Sequence, residues 1–263
     1  MSRVGKAIAA ALLGCAGAFD LSPARGAESF GVADVWTDTK LYFTAPVRWD
    51  AEDWLFFGGA VAAVGAAHQF DGNVRRHFTT STTPLDGKDP HSTRDAAPAA
   101  ALVLGTWAYA TLIGNHTGRV EAYTMAEAAV FSTVTTEALK YAAGRLRPNE
   151  TTHVDEWRSS GSSFPSLHTS AAFAIGTVLA ESGGDDYRWT RRVLGYGIAA
   201  GTAYVRLHDN QHWLSDTVAA AAIGAASARF TLNRREQRVH KWDISVAPTP
   251  GGGVSLGFSR VLD

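Results

Sequence analysis

Apolar residues gather in six runs, near 51–70, 95–114, 119–143, 165–182, 189–206 and 212–232, each bounded by Gly, Pro, Asp or Asn. Runs of this length between breakers predict helices. The link 71–94 is polar and turn-rich (TTSTTPLDGKDPHS), with room for a short helix around Val74 to Phe78. The link 149–164 has no clear period, and an aperiodic loop of that length in a compact domain is often functional. After residue 240 the pattern changes to alternation. Asp243–Ala247 and Val254–Val261, separated by PTPGGG, read as a β-hairpin. The expected fold is all-α: a helical bundle of about six main helices with a short C-terminal β-hairpin.

The six runs could be short Ala-rich membrane spans or the helices of a water-soluble bundle. A span needs roughly 20 mainly apolar residues, and only 97–114 comes near. The run 119–143 carries Glu121, Glu127 and Glu137, and charges inside a membrane are costly. Mean hydropathy is −0.07. These features favour the soluble bundle, its Ala-rich faces packed together.

The N-terminus has its own pattern. Arg3 and Lys6 precede an apolar stretch from Ala7 to Phe19, and small residues follow in ARGAES. This is the layout of a secretory signal peptide. The expected organisation is a signal peptide over 1–27, a helical domain over 28–240 and the hairpin over 241–263, in an exported protein of the periplasm or cell envelope. Cys15, the single cysteine of the 263 residues, sits in LLGC. It is either an acylated lipoprotein cysteine or a small residue of the signal core. The apolar run continues past it to Phe19, which favours the second reading. With one cysteine, no intrachain disulfide can form.

Net charge adds one exclusion. At −1 formal charge with no basic stripe, the chain has no footprint for nucleic acid.

Three stretches carry candidate chemistry. In KYAAGRLRP, Lys140 and Arg147 are seven positions apart, about two helical turns, so both can share one helix face before Pro148. In SSFPSLHTSA, Pro165 suits the first turn of a helix. Ser166 and the amides after it would then face out of a helix start, where anions bind, with His168 beside them. In YVRLHDNQHWLSD, Arg206 ends one helix and His212 opens the next. Asp216, four residues on, can hold one imidazole nitrogen and leave the other free to act. A metal site of His208, His212 and Asp216 would need one helix through Asp209–Asn210, a pair that reads as a turn. Each stretch alone also has a plain structural reading: solvated cations at a helix end, simple capping by serine, a core histidine paired with aspartate. Together they offer three cations, a helix start and two histidines. Cations and amides can cage a phosphate oxyanion, one histidine can attack and the other can transfer a proton.

Their order and spacing resemble the type 2 phosphatidic acid phosphatase and vanadium haloperoxidase superfamily, whose pattern is K-x6-RP, then PSGH, then SR-x5-H-x3-D. The chain reads Lys140-x6-Arg147-Pro148, then Pro165-Ser166-Leu167-His168, then Arg206-x5-His212-x3-Asp216. Leu167 stands where the family has glycine, and Val205 where it has serine. The resemblance implies that Lys140, Arg147, Ser166, the Leu167 amide and Arg206 hold phosphate oxygens. It implies that His212 attacks phosphorus, Asp216 orients His212, and His168 protonates the leaving alcohol and later activates water. No metal or other cofactor is implied. Arg145 is expected in a supporting or surface position. The expected activity is hydrolysis of phosphate monoesters or pyrophosphates, on a lipid phosphate or a small phosphate ester, with contact to a membrane surface open. The alternatives are a vanadium-dependent haloperoxidase and a non-catalytic envelope protein that binds anions.

Overall fold

A computed structural model describes residues 32–79, 92–113, 115–183, 187–240, 242–249 and 253–260. The expected signal peptide, including Cys15, lies outside them. The described residues contain eight α-helices: α1 (Val32–Phe43), α2 (Ala51–His68), α3 (Asp71–Phe78), α4 (Ser92–Leu112), α5 (His116–Ala143), α6 (Leu167–Glu181), α7 (Arg188–His208) and α8 (Leu214–His240). Six of these fall on the apolar runs. α3 is the short helix of the polar link. α1 was not marked by any apolar run. It docks by Tyr42, whose ring stacks on Phe131 of α5 at 4.6 Å and whose hydroxyl meets Ser227 of α8 at 2.8 Å. Arg234 of α8 also donates to the buried Asp38 of α1 at 2.9 Å. The chain ends in two antiparallel strands, β1 (Trp242–Thr249) and β2 (Gly253–Arg260), in a register that pairs Ile244 with Phe258.

Helix α6 is the centre of the bundle, packed on α5, α7 and α8. Its sequence, LHTSAAFAIGTVLAE, is small or apolar on almost every side, and every residue from Ala174 to Ala180 is buried. A helix apolar all round belongs in a core. Small residues set how close its neighbours come. A Cβ on Gly195 of α7 would lie 2.3 Å from the carbonyl oxygen of Gly176 of α6, and the reverse approach is equally tight. Ile175, Val178, Leu179, Met125 and Ala128 fill the space around this contact.

Two sequence expectations change at helix ends. α5 stops at Gly144, four residues before Pro148. Gly144 takes a left-handed conformation (φ 54°), and its amide caps the Lys140 carbonyl. Glycine adopts this conformation without a Cβ penalty. Lys140 and Arg147 therefore do not share a helix face; Arg147 lies in the loop beyond. Likewise α6 begins at Leu167 with Ser166 as its N-cap, so Pro165 precedes the helix instead of opening it. Leu167 is helical, so its position does not demand the conformational freedom of glycine.

The Gly176–Gly195 contact yields the first prediction. Gly195→Ala should destabilise the protein by about 1–3 kcal/mol through overpacking. Gly197→Ala, on the same helix with nothing within 4 Å of the new Cβ, should be neutral or stabilising by up to about 1 kcal/mol. Urea unfolding followed by circular dichroism measures both; equal midpoints for the two variants would contradict the packing.

Candidate active site

Loop 144–166 runs back along its own start. Arg158 donates to the Ala143 carbonyl, Ser159 and Gly161 to that of Gly144, Leu146 to that of Glu156, and Ser163 to that of Arg145. The loop is thus tied by backbone hydrogen bonds, and it delivers Ser163 beside Arg145. On the other side, the turn between α7 and α8 is closed by the Gln211 and His212 amides, both donating to the Arg206 carbonyl at 3.1 and 3.3 Å. The Ser166 amide reaches the Asp216 carbonyl at 3.3 Å, which joins the start of α6 to that of α8.

His212 is 3% exposed. Its Nδ1 lies 2.7 Å from the carbonyl oxygen of Ser163 and 3.6 Å from Oδ2 of Asp216. A carbonyl only accepts, so Nδ1 carries the proton and Nε2 keeps its lone pair. The direct orienting bond therefore comes from a backbone carbonyl, whereas the sequence spacing assigned it to Asp216. The Asp216 carboxylate is used elsewhere. Oδ1 accepts from Arg145 at 2.6 Å, and Oδ2 accepts from the Ser163 hydroxyl at 2.5 Å and the Trp213 amide at 2.9 Å. Asp216 acts on the ring through its nearby charge and through Ser163.

Of the two positions left open for Arg145, supporting or surface, it takes the supporting one. It is 0% exposed and donates to Asp71 of α3 at 2.7 Å, Asp216 at 2.6 Å, the Ser215 hydroxyl at 2.8 Å and the Val154 carbonyl at 2.8 Å. Its guanidinium lies 4.4 Å from the Trp157 ring and 5.1 Å from that of Trp213. Asp71 accepts in addition from the amide and hydroxyl of Ser215 at 2.8 and 2.6 Å.

Arg147 donates to the side-chain carbonyl of Gln211 at 2.6 Å and to the Ser162 hydroxyl at 3.3 Å, which places its guanidinium at the residue before His212. Arg206 is fully buried. Lys140 is paired with Glu137 at 3.2 Å. Its pKa is lowered chiefly by burial, against the pull of Glu137, and the charges of Arg147 and Arg206 lower it further. The same two guanidiniums act on His212. Lys140, Arg147, Arg206 and His212 therefore share one electrostatic neighbourhood.

Ser166 is fully buried and accepts from the Thr169 hydroxyl at 3.0 Å. Its side chain makes no capping bond to the helix it precedes. His168, the second residue of α6, is half-buried. His208 is exposed and paired with Asp209, in a different setting from buried His212, because the chain turns at Asn210 with φ 53°.

Burial pushes the His212 pKa down to about 4, opposed by Asp216 and assisted by Arg206 and Arg147. Burial pushes Asp216 the other way, but His212, Arg145 and the Ser163 hydroxyl outweigh it and hold its pKa below the ordinary value. The pair at neutral pH is thus a carboxylate and a neutral imidazole. Such an imidazole, beside clustered cations and a helix start, can attack a tetrahedral anion.

Sequence reasoning did not find Asp71, Ser163, Ser215 or Gln211. Ser163 and Ser215 carried no distinguishing signal. Gln211 adjoins a named histidine, which was the one available hint.

Residues 121–239 match the model of the PAP2 superfamily. A stretch of 85 residues is 39% identical to a lipid A 1-phosphatase of Porphyromonas gingivalis, covering 32% of this chain and 17% of that relative. No solved structure matches the chain. The family match spans every residue that the three motifs single out, from Lys140 to Asp216, and over that stretch the chain is similar to the PAP2 superfamily.

Proposed function

We propose that the protein hydrolyses phosphate monoesters or pyrophosphates carried by a lipid, through a phosphohistidine on His212. The observation that carries this reading is the buried, neutral His212, its Nδ1–H fixed on Ser163 and its ring acted on by Arg206 and Arg147. Nε2 attacks phosphorus while Lys140, Arg147, Arg206 and the Ser166–Leu167 helix start hold the equatorial oxygens. His168 gives a proton to the leaving oxygen as the P–O bond breaks. It then takes a proton from water, which attacks phosphorus and releases Nε2. The Asp216 carboxylate offsets the positive charge of the phosphorylated ring.

A lipid substrate is supported by the surface. On α2, Trp54, Leu55, Phe57 and Val61 are exposed; on α7, Trp189, Val193, Leu194 and Tyr204 are exposed. Exposed large apolar side chains, where they adjoin, mark contact with lipid or protein. Trp189 and Tyr204 stand about 22 Å apart along α7, with aliphatic residues between. Amphipathic rings of this kind suit a membrane interface. Among the described residues no helix is long and apolar enough to cross a membrane, so the contact we propose is with the membrane surface. The name of the lipid A 1-phosphatase relative and the signal-like N-terminus support a place in the cell envelope.

Phosphate release from p-nitrophenyl phosphate and from a lipid phosphate in detergent tests the reading. His212→Ala should abolish turnover on both. Asp216→Asn should lower it by about 10- to 100-fold, the worth of a lost charge-assisted hydrogen bond. Vanadate should inhibit. Equal turnover in the His212 variant would refute the mechanism, and vanadate-dependent bromide oxidation by peroxide would favour the haloperoxidase.

The His212 environment makes a second prediction. Its ring should titrate near pH 4 in a nitrogen-15 NMR experiment; a midpoint near the ordinary value of about 6.5 would contradict the buried site. The unfolded chain binds this proton near pH 6.5 and the folded site only near 4. The resulting stability is full above about pH 6.5 and is lost as pH falls towards 4. His212→Asn should flatten that part of the pH dependence of the urea midpoint.

A further inference from the structure

We propose that Asp71 and Arg145 are positioning residues for His212, acting through Asp216 and Ser163. The proposal concerns how the nucleophile is aimed and rests, for its kinetic part, on the phosphatase reading above.

The hydrogen bonds form one continuous chain. Asp71 accepts from Arg145, Arg145 donates to Asp216, Asp216 accepts from the Ser163 hydroxyl, and the Ser163 carbonyl accepts from His212. Ser163 is the hinge of this arrangement: its hydroxyl holds the carboxylate and its carbonyl holds the ring. If the Asp216 carboxylate rotated, it would release Ser163. It would then be free to close the 3.6 Å separation from Nδ1 and compete for the ring proton.

Arg145 prevents that rotation. Its planar fork spans Asp216 on one side and Asp71 on the other, and the Trp157 and Trp213 rings flank it. A lysine ammonium is a single point and cannot reproduce the fork. Asp71 holds the other end. It also takes the Ser215 amide and hydroxyl, so it pins the first turn of α8, directly after His212 and Trp213. Asp71 lies outside residues 121–239, which match the family model.

The charged and titratable groups facing this chain are few among the described residues. His68 Nδ1 lies 2.9 Å from Asp71, and its Nε2 lies 2.9 Å from Asp155. The charges of Arg147 and Arg206 act on His212. Two carboxylates thus share one buried guanidinium, with His68 at the outer edge. Asp71→Asn keeps the shape and removes one charge; Arg145→Lys keeps the charge and removes the fork.

The test combines kinetics with nitrogen-15 NMR of the His212 ring in the full chain. In the wild type the ring should show a single Nδ1–H tautomer. In Asp71→Asn and Arg145→Lys the proton should stay on Nδ1, and the Nδ1–H resonance should move downfield as the Asp216 carboxylate replaces the Ser163 carbonyl as its acceptor. On p-nitrophenyl phosphate, kcat should fall by about 10- to 100-fold while KM changes by less than about threefold. Ser215→Ala removes one hydroxyl from both Asp71 and Arg145, and is the milder variant should either charge change prevent folding. It should show a smaller change in the same two readouts. A wild-type Nδ1–H resonance and wild-type kcat in every variant that folds would overturn the proposal. A wild-type protein that releases no phosphate would sink the phosphatase reading alone, because the Nδ1–H resonance still decides whether Asp71 and Arg145 aim the ring.

Discussion

One buried guanidinium organises the site. Arg145 is completely enclosed, and a buried cation is tolerated only when its hydrogen-bonding capacity and charge are met. Asp71 and Asp216 supply the charge, Ser215 and the Val154 carbonyl add acceptors, and two indoles cover the flat faces. These partners come from α3, from loop 144–166 and from the start of α8. Removing one partner of such a set typically costs about 3–5 kcal/mol, because the charge left behind has no water to turn to. The cluster therefore selects an arrangement of three segments in which both terminal nitrogens of the guanidinium are paired.

That arrangement rests on close helix packing. α6 can lie against α7 and α8 because Gly176, Gly195 and Gly224 let backbones approach to distances a Cβ would forbid. The start of α6 then falls beside the start of α8, where the Ser166 amide meets the Asp216 carbonyl. The small-residue core and the polar site are thus two consequences of one geometry: the first sets the distance between helices, the second uses the space where their ends meet.

Two charge settings meet at His212. The carboxylate of Asp216 is saturated by donors. Arg147 and Arg206 lower the ring's pKa and, with burial, keep the imidazole neutral. A neutral ring with its proton on Nδ1 presents Nε2 as a lone pair, which is what attack on phosphorus needs. The same two charges would attract a phosphate. Nucleophile state and anion binding are set by one distribution of charge.

The helices were legible because their signal is local: apolar runs between breakers mark α2 and α4 to α7 within a few residues, and the start of α8, which continues eight residues past its run. α1 was not, since it docks through Tyr42 and Asp38, and neither belongs to an apolar stripe. The motif residues Lys140, Arg147, Ser166, His168, Arg206, His212 and Asp216 were also readable, because each lies in a short stretch of unusual residue types at helix ends. Their mutual geometry was not. The chain turns at Gly144, so Arg147 reaches the site from a loop and not from a helix face. The bond on Nδ1 comes from the Ser163 carbonyl, and every residue has a carbonyl, so no side-chain pattern could announce it. Asp71 and Arg145 are distant in sequence and become partners only when α3 packs beside the start of α8. Local spacing determined which residues could do chemistry. Which atoms they present to one another was decided by long-range packing, because a hydrogen bond between distant segments leaves no periodic trace in the chain.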